Sequence, residues 1–266
     1  MKKLLIVSIL LLSVGLCQRP ERNEIISERH PNGLKKLVNV FQGTGINEIL
    51  VGRYGFYDSG IKEFVEFYKN NKKDGKSLYW YGNGNQKREL NYVDGKMNGP
   101  QIEWYEDGKK KIERYYKNDE INDIKLFLDG NGDLSTLDYI DNMRKRGNIN
   151  ELIPIMRDLV SIKNELSSTI QYKIGDIYME DLRDFETSII EYKKVGQMFP
   201  GSSQEPEGLF MIGYIYTNVL QDLDKGENEY QNFLKKFPNH ELAPSVNFEL
   251  DNMGLSIEEL QKKGKL

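Results

Sequence analysis

The chain repeats one short motif at a fixed interval, as Phe56-Tyr57-Asp58-Ser59-Gly60, Trp80-Tyr81-Gly82-Asn83-Gly84 and Trp104-Tyr105-Glu106-Asp107-Gly108. The blocks begin at residues 56, 80 and 104, so each lies 24 residues after the previous one, and Gly132 continues the glycine series. Each block joins an aromatic pair, which favours strands, to a turn that ends in glycine. The series therefore predicts an antiparallel meander built by repetition of one two-strand unit.

The strands and turns of the repeating unit are clearest at residues 77–105. Residues 77–81 are rich in strand formers, the glycines and asparagines of 82–85 suit a turn, and residues 86–92 run back. Asp94-Gly95 then favours a two-residue hairpin turn before the next strand at 101–105. The trailing glycines Gly75 and Gly99 mark a second turn in each unit, with Asp123 where a third would fall.

These blocks resemble MORN repeats, in the variant form of bacterial proteins often labelled as antitoxin components. The resemblance covers residues 29–133 and rests on the Tyr-x-x-Gly elements and the trailing glycines. It implies an elongated β meander with a membrane-proximal or protein-binding role. The elements that carry it are Tyr57/Gly60, Tyr81/Gly84 and Tyr105/Gly108.

Beyond residue 133 the hydrophobic period changes from two to 3.6, which indicates helices. A second repeat appears there, with Gly175 returning as Gly213, which is 38 residues later. The full set Gly175, Tyr178, Leu182, Asp184, Ser188, Tyr192, Val195, Phe199 and Pro200 returns as Gly213, Tyr216, Leu220, Asp222, Gly226, Tyr230, Phe233, Phe237 and Pro238.

This pattern resembles tetratricopeptide repeats and implies an all-α solenoid over residues 134–266. Because the unit is longer than the usual length of about 34 residues, we expect the extra residues in the turns at 181–183 and 219–221. The segments 137–145 and 151–162 indicate a degenerate earlier helix pair, and 243–253 a terminal helix. The fold class is thus α+β in separate domains.

In tetratricopeptide proteins the first helix of each pair lines the concave groove, so the resemblance implies which side chains meet a partner here. Aromatic side chains mixed with acidic ones suit a peptide segment that carries lysine or arginine. The alternative is that some of these side chains only pack on a neighbouring helix. The candidate groove residues are Thr169, Tyr172, Asp176, Met179, Glu207, Phe210, Tyr214 and Thr217.

The N-terminus carries an export signal. A positive start, Met1-Lys2-Lys3, precedes an apolar run from Leu4 to Leu16, which is too short to span a bilayer. Residues 1–16 are therefore a predicted signal peptide and residues 17–28 a tether. The expected location is the periplasm or the outer membrane.

Cys17 stands where the apolar run ends and resembles the lipidated cysteine of bacterial lipoproteins. Val14 and Gly15 fit that motif, whereas Leu16 stands where the motif has glycine or alanine. Lipidation of Cys17 would tether the chain to a membrane by its acyl chains. The alternative is ordinary cleavage before Leu16, after small residues at Ser13 and Gly15.

Composition excludes several classes of function. A formal charge of −4 argues against a general nucleic-acid binder, and one cysteine excludes a disulfide scaffold. Two histidines, His30 and His240, leave little for a zinc site or a catalytic triad. We expect no enzyme, no cofactor, no metal and no small-molecule substrate. At residues 129–133 the sequence leaves open a calcium loop or, more simply, a polar turn.

The sequence thus predicts a non-enzymatic cell-envelope scaffold that binds protein partners through its helical repeats and its β sheet. The alternative is a carbohydrate- or lipid-surface-binding module. In that case the repeat tyrosines Tyr57, Tyr81 and Tyr105 would stack on sugars, and the lysines of 72–73 and 109–111 would contact anionic groups.

Overall fold

The computed structural model describes residues 22–130, 132, 134–255, 257–262 and 264. The chain divides into two compact units, Met1–Gly108 and Lys109–Leu266. The predicted signal peptide, Cys17 and the rest of the predicted tether up to residue 21 lie outside the described residues, and so do Asn131 and Asp133 of the polar loop, whereas residues 22–28 of that tether lie in a β-strand. The expectations for those residues stay predictions.

The eleven strands form one antiparallel sheet that precedes the helices, as predicted. In the described part of the chain the strands are β1 Arg22–Arg29, β2 Lys35–Gln42, β3 Ile49–Phe56, β4 Lys62–Lys69, β5 Lys72–Lys73, β6 Gly75–Trp80, β7 Gln86–Val93, β8 Lys96–Met97, β9 Gly99–Trp104, β10 Lys110–Lys117 and β11 Glu120–Leu126. Successive long strands are neighbours, and the two short strands β5 and β8 pair with β4 and β7.

The repeated motif forms the same turn each time. Gly60, Gly84 and Gly108 have φ angles of 85°, 88° and 86°, a left-handed conformation that favours glycine. The tyrosines of the first two motifs join one repeat to the next, because the Tyr57 hydroxyl donates to the Trp80 carbonyl at 2.8 Å and the Tyr81 hydroxyl donates to the Trp104 carbonyl at 2.8 Å. The 24-residue spacing therefore places each of these tyrosines where it can form a hydrogen bond with the next repeat.

Two-residue hairpin turns form a second series. Asp94 and Gly95, at φ 50° and 88°, make the predicted turn. Equivalent turns at Asn70-Asn71 and Asn118-Asp119 also have positive φ at both residues, and the sequence analysis missed them because neither contains glycine. Where Asp123 replaces the trailing glycine, strand β11 runs on without the interruption that separates β5 from β6.

The helices pair as the 38-residue period predicts. Their bounds are α1 Thr136–Lys145, α2 Ile149–Ser161, α3 Ser167–Asp176, α4 Phe185–Met198, α5 Gln204–Tyr214, α6 Leu223–Lys236, α7 Ala243–Asn252 and α8 Ile257–Lys262. The extra residues lie near the expected turns, but in a form that the sequence did not specify. Helices α3 and α5 each continue into a π-helical turn, at Ile177–Asp181 and Ile215–Val219.

Small residues bring the paired helices together. A Cβ atom built on Gly175 would lie 2.6 Å from ring carbons of Tyr192, and one built on Gly213 would lie 2.6 Å from the Tyr230 ring. Both tyrosines are at most 1% exposed. Each helix pair therefore closes because one helix carries a glycine opposite a buried tyrosine of the other.

The second unit has a core that includes strands as well as helices. Ile112 of β10 and Leu126 of β11 are buried in one cluster with residues of α1, α2 and α3. Arg114 of β10 extends this contact, because its Nε atom donates to Asp158 of α2 at 2.8 Å. The last hairpin of the meander thus packs with the first helices, whereas the sequence pattern sets its boundary at residue 133.

Candidate functional site

Tyr172 lies at the centre of the candidate groove on α3. Its side chain is half-buried, and its ring lies 5.2 Å from that of Tyr192, centroid to centroid. Burial raises the pKa of the Tyr172 hydroxyl, and the negative charges of Asp176, Glu207 and Glu180 raise it further. Tyr172 also packs in one apolar cluster with Leu209 and Met211 of α5, so α3 and α5 contribute to one acidic and aromatic surface.

The carboxylate of Asp176 is held in place by a hydrogen bond from a buried tyrosine. It is half-buried and accepts a hydrogen bond from the Tyr192 hydroxyl at 2.7 Å. Burial raises the pKa of Asp176 despite that hydrogen bond, and the charge of Glu180 adds to the increase. Among the described residues neither Asp176 nor Glu207 forms an ion pair, so the electrostatic field of both is available to a bound cation.

The neighbouring carboxylates of the π turn each form an ion pair with a cation of the protein. The Arg144 guanidinium on α1 lies 2.6 Å from Glu180 and 2.6 Å from Asp181. Lys173 on α3 is engaged in the same way, at 3.1 Å from Asp141 of α1. The unpaired negative charge of this surface is therefore concentrated at Asp176 and Glu207.

On α5 the equivalent aromatic position is Phe210. Its ring lies 5.9 Å from that of Tyr230, so it repeats the contact of Tyr172 with Tyr192 one unit later. Met179 packs against the same core cluster as Tyr172, with its sulfur 3.9 Å from the Tyr192 hydroxyl. The apolar members of the predicted groove thus contribute to packing between helices as well as to the surface.

The eight predicted groove residues differ in exposure. Thr217 is 7% exposed and contacts the backbone at Gly226, so it is a buried residue. The others are half-buried, with one side available to solvent; these are Thr169, Tyr172, Asp176, Met179, Glu207, Phe210 and Tyr214. That they bind a partner stays a prediction.

A buried carboxylate on α4, which the sequence did not predict, binds side chains of the helices next to the candidate groove. Glu191 on α4 is 2% exposed and accepts hydrogen bonds from Arg157 and Gln171, each at 2.8 Å, and from Lys194 at 2.9 Å. Gln171 precedes Tyr172 on α3, so the network fixes the helix that carries the site. A glutamate inside a helical pattern that also carries surface charges gives no signal of its burial.

The helix pair α5–α6 can be compared with known families. Residues 207–240 match the tetratricopeptide repeat. The match contains four of the predicted groove residues, Glu207, Phe210, Tyr214 and Thr217, and ends at His240. Tetratricopeptide repeats are typically non-enzymatic scaffolds of protein–protein interaction. No curated protein matches the chain.

The lysine clusters, His240 and the polar loop at 129–133 each form contacts within the protein. The clustered lysines form ion pairs rather than an open cationic patch: Lys72 with Asp94, Lys73 with Glu66, Lys110 with Glu113 and Lys111 with Glu151. His240 lies in the turn before α7, where its Nδ1 atom accepts a hydrogen bond from the Leu242 amide at 3.2 Å. Asp129 of the polar loop accepts both hydrogen bonds of a bidentate contact with Arg146.

Within the described ranges, no group of three or more His, Cys, Asp or Glu side chains is placed to hold a metal ion. The same part of the chain contains no helix with the length and apolar character needed to cross a bilayer.

Proposed function

We propose that the protein is a non-enzymatic scaffold of the bacterial cell envelope, whose tetratricopeptide-type surface on α3 and α5 binds a basic segment of a protein partner. The observation that supports this best is the pair of carboxylates, Asp176 and Glu207, beside the half-buried ring of Tyr172. An aromatic face with nearby carboxylates attracts lysine and arginine through both cation–π and ionic contacts.

The raised pKa of Asp176 supports the same choice of partner. Burial makes the ionised carboxylate costly, and the charge of Glu180 adds to that cost, whereas the Tyr192 hydroxyl and the more distant charges of Arg144 and Lys173 offset only part of it. A bound lysine or arginine would relieve this cost, so the field of the free protein favours a cationic segment over a neutral or acidic one.

Peptide binding tests this function. The purified chain is titrated with a fluorescent peptide rich in lysine and arginine, and with the same peptide carrying glutamate at those positions, and anisotropy gives the Kd. We expect binding of the basic peptide alone, weakened about tenfold in the double variant Asp176→Asn, Glu207→Gln, with most of the binding lost at high ionic strength.

The double variant Asp224→Asn, Glu227→Gln is the matched control, because both residues are exposed on helix α6 and their replacement removes two negative charges as well. Charge variants are preferred over Tyr172→Ala, since Tyr172 also packs on Tyr192. Equal weakening by the control, or preference for the acidic peptide, would contradict the proposal. Retention on peptidoglycan or anionic vesicles without peptide binding would favour the surface-binding alternative.

The envelope location is a separate part of the proposal and rests on the export signal and Cys17. We expect the mature protein to begin at Cys17 and to carry acyl chains, which intact mass of membrane-extracted protein measures directly. Cys17→Ser should release the protein from membranes. A mature chain that begins at Leu16 without added mass would contradict lipidation but leave export intact.

A further inference from the structure

Two more carboxylates lie beside the acidic surface of α3 and α5, in the π turn that follows α3. Glu180 and Asp181 are both exposed residues of that turn. Burial raises the pKa of the Tyr172 hydroxyl and of the Asp176 carboxyl most, and the charge of Glu180 raises both further. The electrostatic field of the π turn therefore reaches the candidate groove.

A cation from α1 binds these two carboxylates in the free chain. The Nε atom of Arg144 donates to Asp181 at 2.7 Å, and its Nη2 atom donates to Glu180 at 2.6 Å. One planar guanidinium thus engages both carboxylates through two of its five donors. The turn is therefore arranged to hold an arginine side chain, and the protein's own arginine occupies it.

Arg144 can leave this position by rotation of its side chain alone, because the core holds α1 itself. Tyr139, Ile140 and Met143 of α1 are each at most 1% exposed and belong to one buried cluster of the second unit. The Arg144 side chain, in the last turn of the helix, is 24% exposed, and its partner Glu180 is 60% exposed. Such an ion pair contributes little net free energy, since water screens it and two side chains must be held in one geometry. A competing cation can therefore displace the guanidinium at low cost.

A cavity next to the ion pair gives the displaced side chain room and another acceptor. Its volume is about 480 Å³, and its lining includes Asp141, Arg144, Lys145 and Asp181. Asp141 precedes Arg144 by three residues on α1, and side chains at that spacing are neighbours on a helix. One oxygen of Asp141 accepts from Lys173 at 3.1 Å, which leaves acceptor capacity on the other. Rotation of Arg144 towards Asp141 uncovers both carboxylates of the π turn.

We infer that Arg144 is an internal competitor of the partner: its guanidinium occupies Glu180 and Asp181 in the free protein, and an arginine of the basic segment replaces it there on binding. The inference rests on the proposed function and names a residue that determines its specificity. An arginine of the partner reproduces both hydrogen bonds of Arg144, whereas the compact ammonium of lysine lacks the planar fork. Arg144 thus selects for segments that carry an arginine beside the cations bound at Asp176 and Glu207.

Peptide titration of the full chain tests the competition. Anisotropy gives the Kd of the fluorescent basic peptide for the parent, Arg144→Gln and Lys145→Gln. Both variants remove one positive charge from the same turn of α1, but Lys145 is exposed and has no ion-pair partner in the described part of the chain. We expect Arg144→Gln to lower the Kd about fivefold and Lys145→Gln to lower it less than about twofold. Equal effects of the two changes, or weaker binding by Arg144→Gln, would overturn the inference.

A further set of changes tests whether the gain arises at the π turn. Adding Glu180→Gln and Asp181→Asn to Arg144→Gln should abolish the gain in affinity, because the uncovered carboxylates are then absent. A gain that persists without both carboxylates would show that Arg144 acts elsewhere, and the assignment would be wrong.

NMR of the Arg144 side chain keeps the test independent of the stability of these variants. In isotope-labelled full chain the Nε–H resonance of Arg144 is assigned with Arg144→Lys, which retains the charge. We expect the basic peptide to shift this resonance in a saturable manner, with the Kd that anisotropy gives. An unchanged resonance at saturating peptide would overturn the inference.

The failure of the inference and that of the proposed function have different signatures. If Asp176→Asn, Glu207→Gln weakens peptide binding while the Arg144 resonance stays unchanged, only the competition is rejected. If the parent protein does not bind the basic peptide, the proposed function is rejected together with the competition.

Discussion

The β repeats and the helical repeats each place a glycine at a fixed interval along the chain, but for different physical reasons. Gly84 has a φ of 88°, and a Cβ built there meets no atom within 4 Å. Gly175 lies in helix α3, and its Cβ would lie 2.6 Å from the Tyr192 ring. The first glycine satisfies a backbone angle and the second leaves volume for a neighbour, so the same substitution should affect the two units unequally.

The largest effect is expected at the helical glycine. Gly175→Ala places a methyl group 2.6 Å from carbons of the Tyr192 ring, which is 1% exposed and must shift to accept it. Forced packing of this kind costs about 3 kcal/mol, which outweighs the higher helix propensity of alanine. Chemical denaturation should show this loss in the free energy of unfolding.

Gly213→Ala provides a replicate, because its Cβ would lie at the same 2.6 Å from Tyr230. Similar losses at both positions would confirm that volume is the shared constraint. A gain in stability at either position would show that the helix pair opens at little cost, and the close-packing explanation would be wrong.

The next effect concerns acid stability in the helical unit. Burial raises the pKa of Glu191, but hydrogen bonds from Arg157, Lys194 and Gln171 outweigh it, so the pKa lies below its usual value. Ionised Glu191 therefore stabilises the fold above the usual glutamate pKa of about 4.3, and this contribution is lost as pH falls through the folded pKa.

Glu191→Gln should lower the free energy of unfolding by about 2 kcal/mol at neutral pH. It should also reduce the dependence of stability on acid, measured by thermal unfolding between neutral and acidic pH. Glu227→Gln, at an exposed site on α6, is the control and should leave the profile unchanged. A profile of Glu191→Gln parallel to the parent protein would argue against the network.

A smaller effect is expected at the β-turn glycine. Gly84→Ala forces a left-handed angle on a residue with a Cβ and should cost about 1 kcal/mol. Gly84→Asn should cost less, since asparagine adopts this conformation more readily, as Asn70 and Asn118 do here. Gly82→Ala is the control in the same turn, because Gly82 lacks the positive φ and has free space. An equal loss from all three changes would disprove the angle argument.

The smallest effect tests the link between β repeats. Tyr81→Phe removes the hydroxyl that donates to the Trp104 carbonyl at 2.8 Å and keeps the ring. We expect a loss of about 0.5 to 1 kcal/mol in the free energy of unfolding, as for a single neutral hydrogen bond. Tyr57→Phe should behave alike, and a stabilising change in both would mean that these hydroxyls contribute nothing to the repeat interval.

The sequence predicted the features that local residues determine. Asp94-Gly95 makes its turn because both residues adopt positive φ readily, and the spacing of Gly175 and Tyr192 placed two helices face to face. The burial of Glu191 was not predictable, because it depends on partners brought near by the fold. The candidate groove residues were therefore chosen from sequence, whereas the network around Glu191 required the structure.

The π turns after α3 and α5 have a consequence for how such an array can grow. Each places its added residues at the same point, closed by the hydrogen bonds from Leu182 to Ile177 and from Leu220 to Ile215, and each is followed by a left-handed residue, Arg183 or Gln221. The two helical repeats thus have the same length and the same kind of contact between their paired helices. A tandem duplication of residues 175–212 would insert a compatible module, so the number of repeats can change by recombination without redesign of the contacts between them.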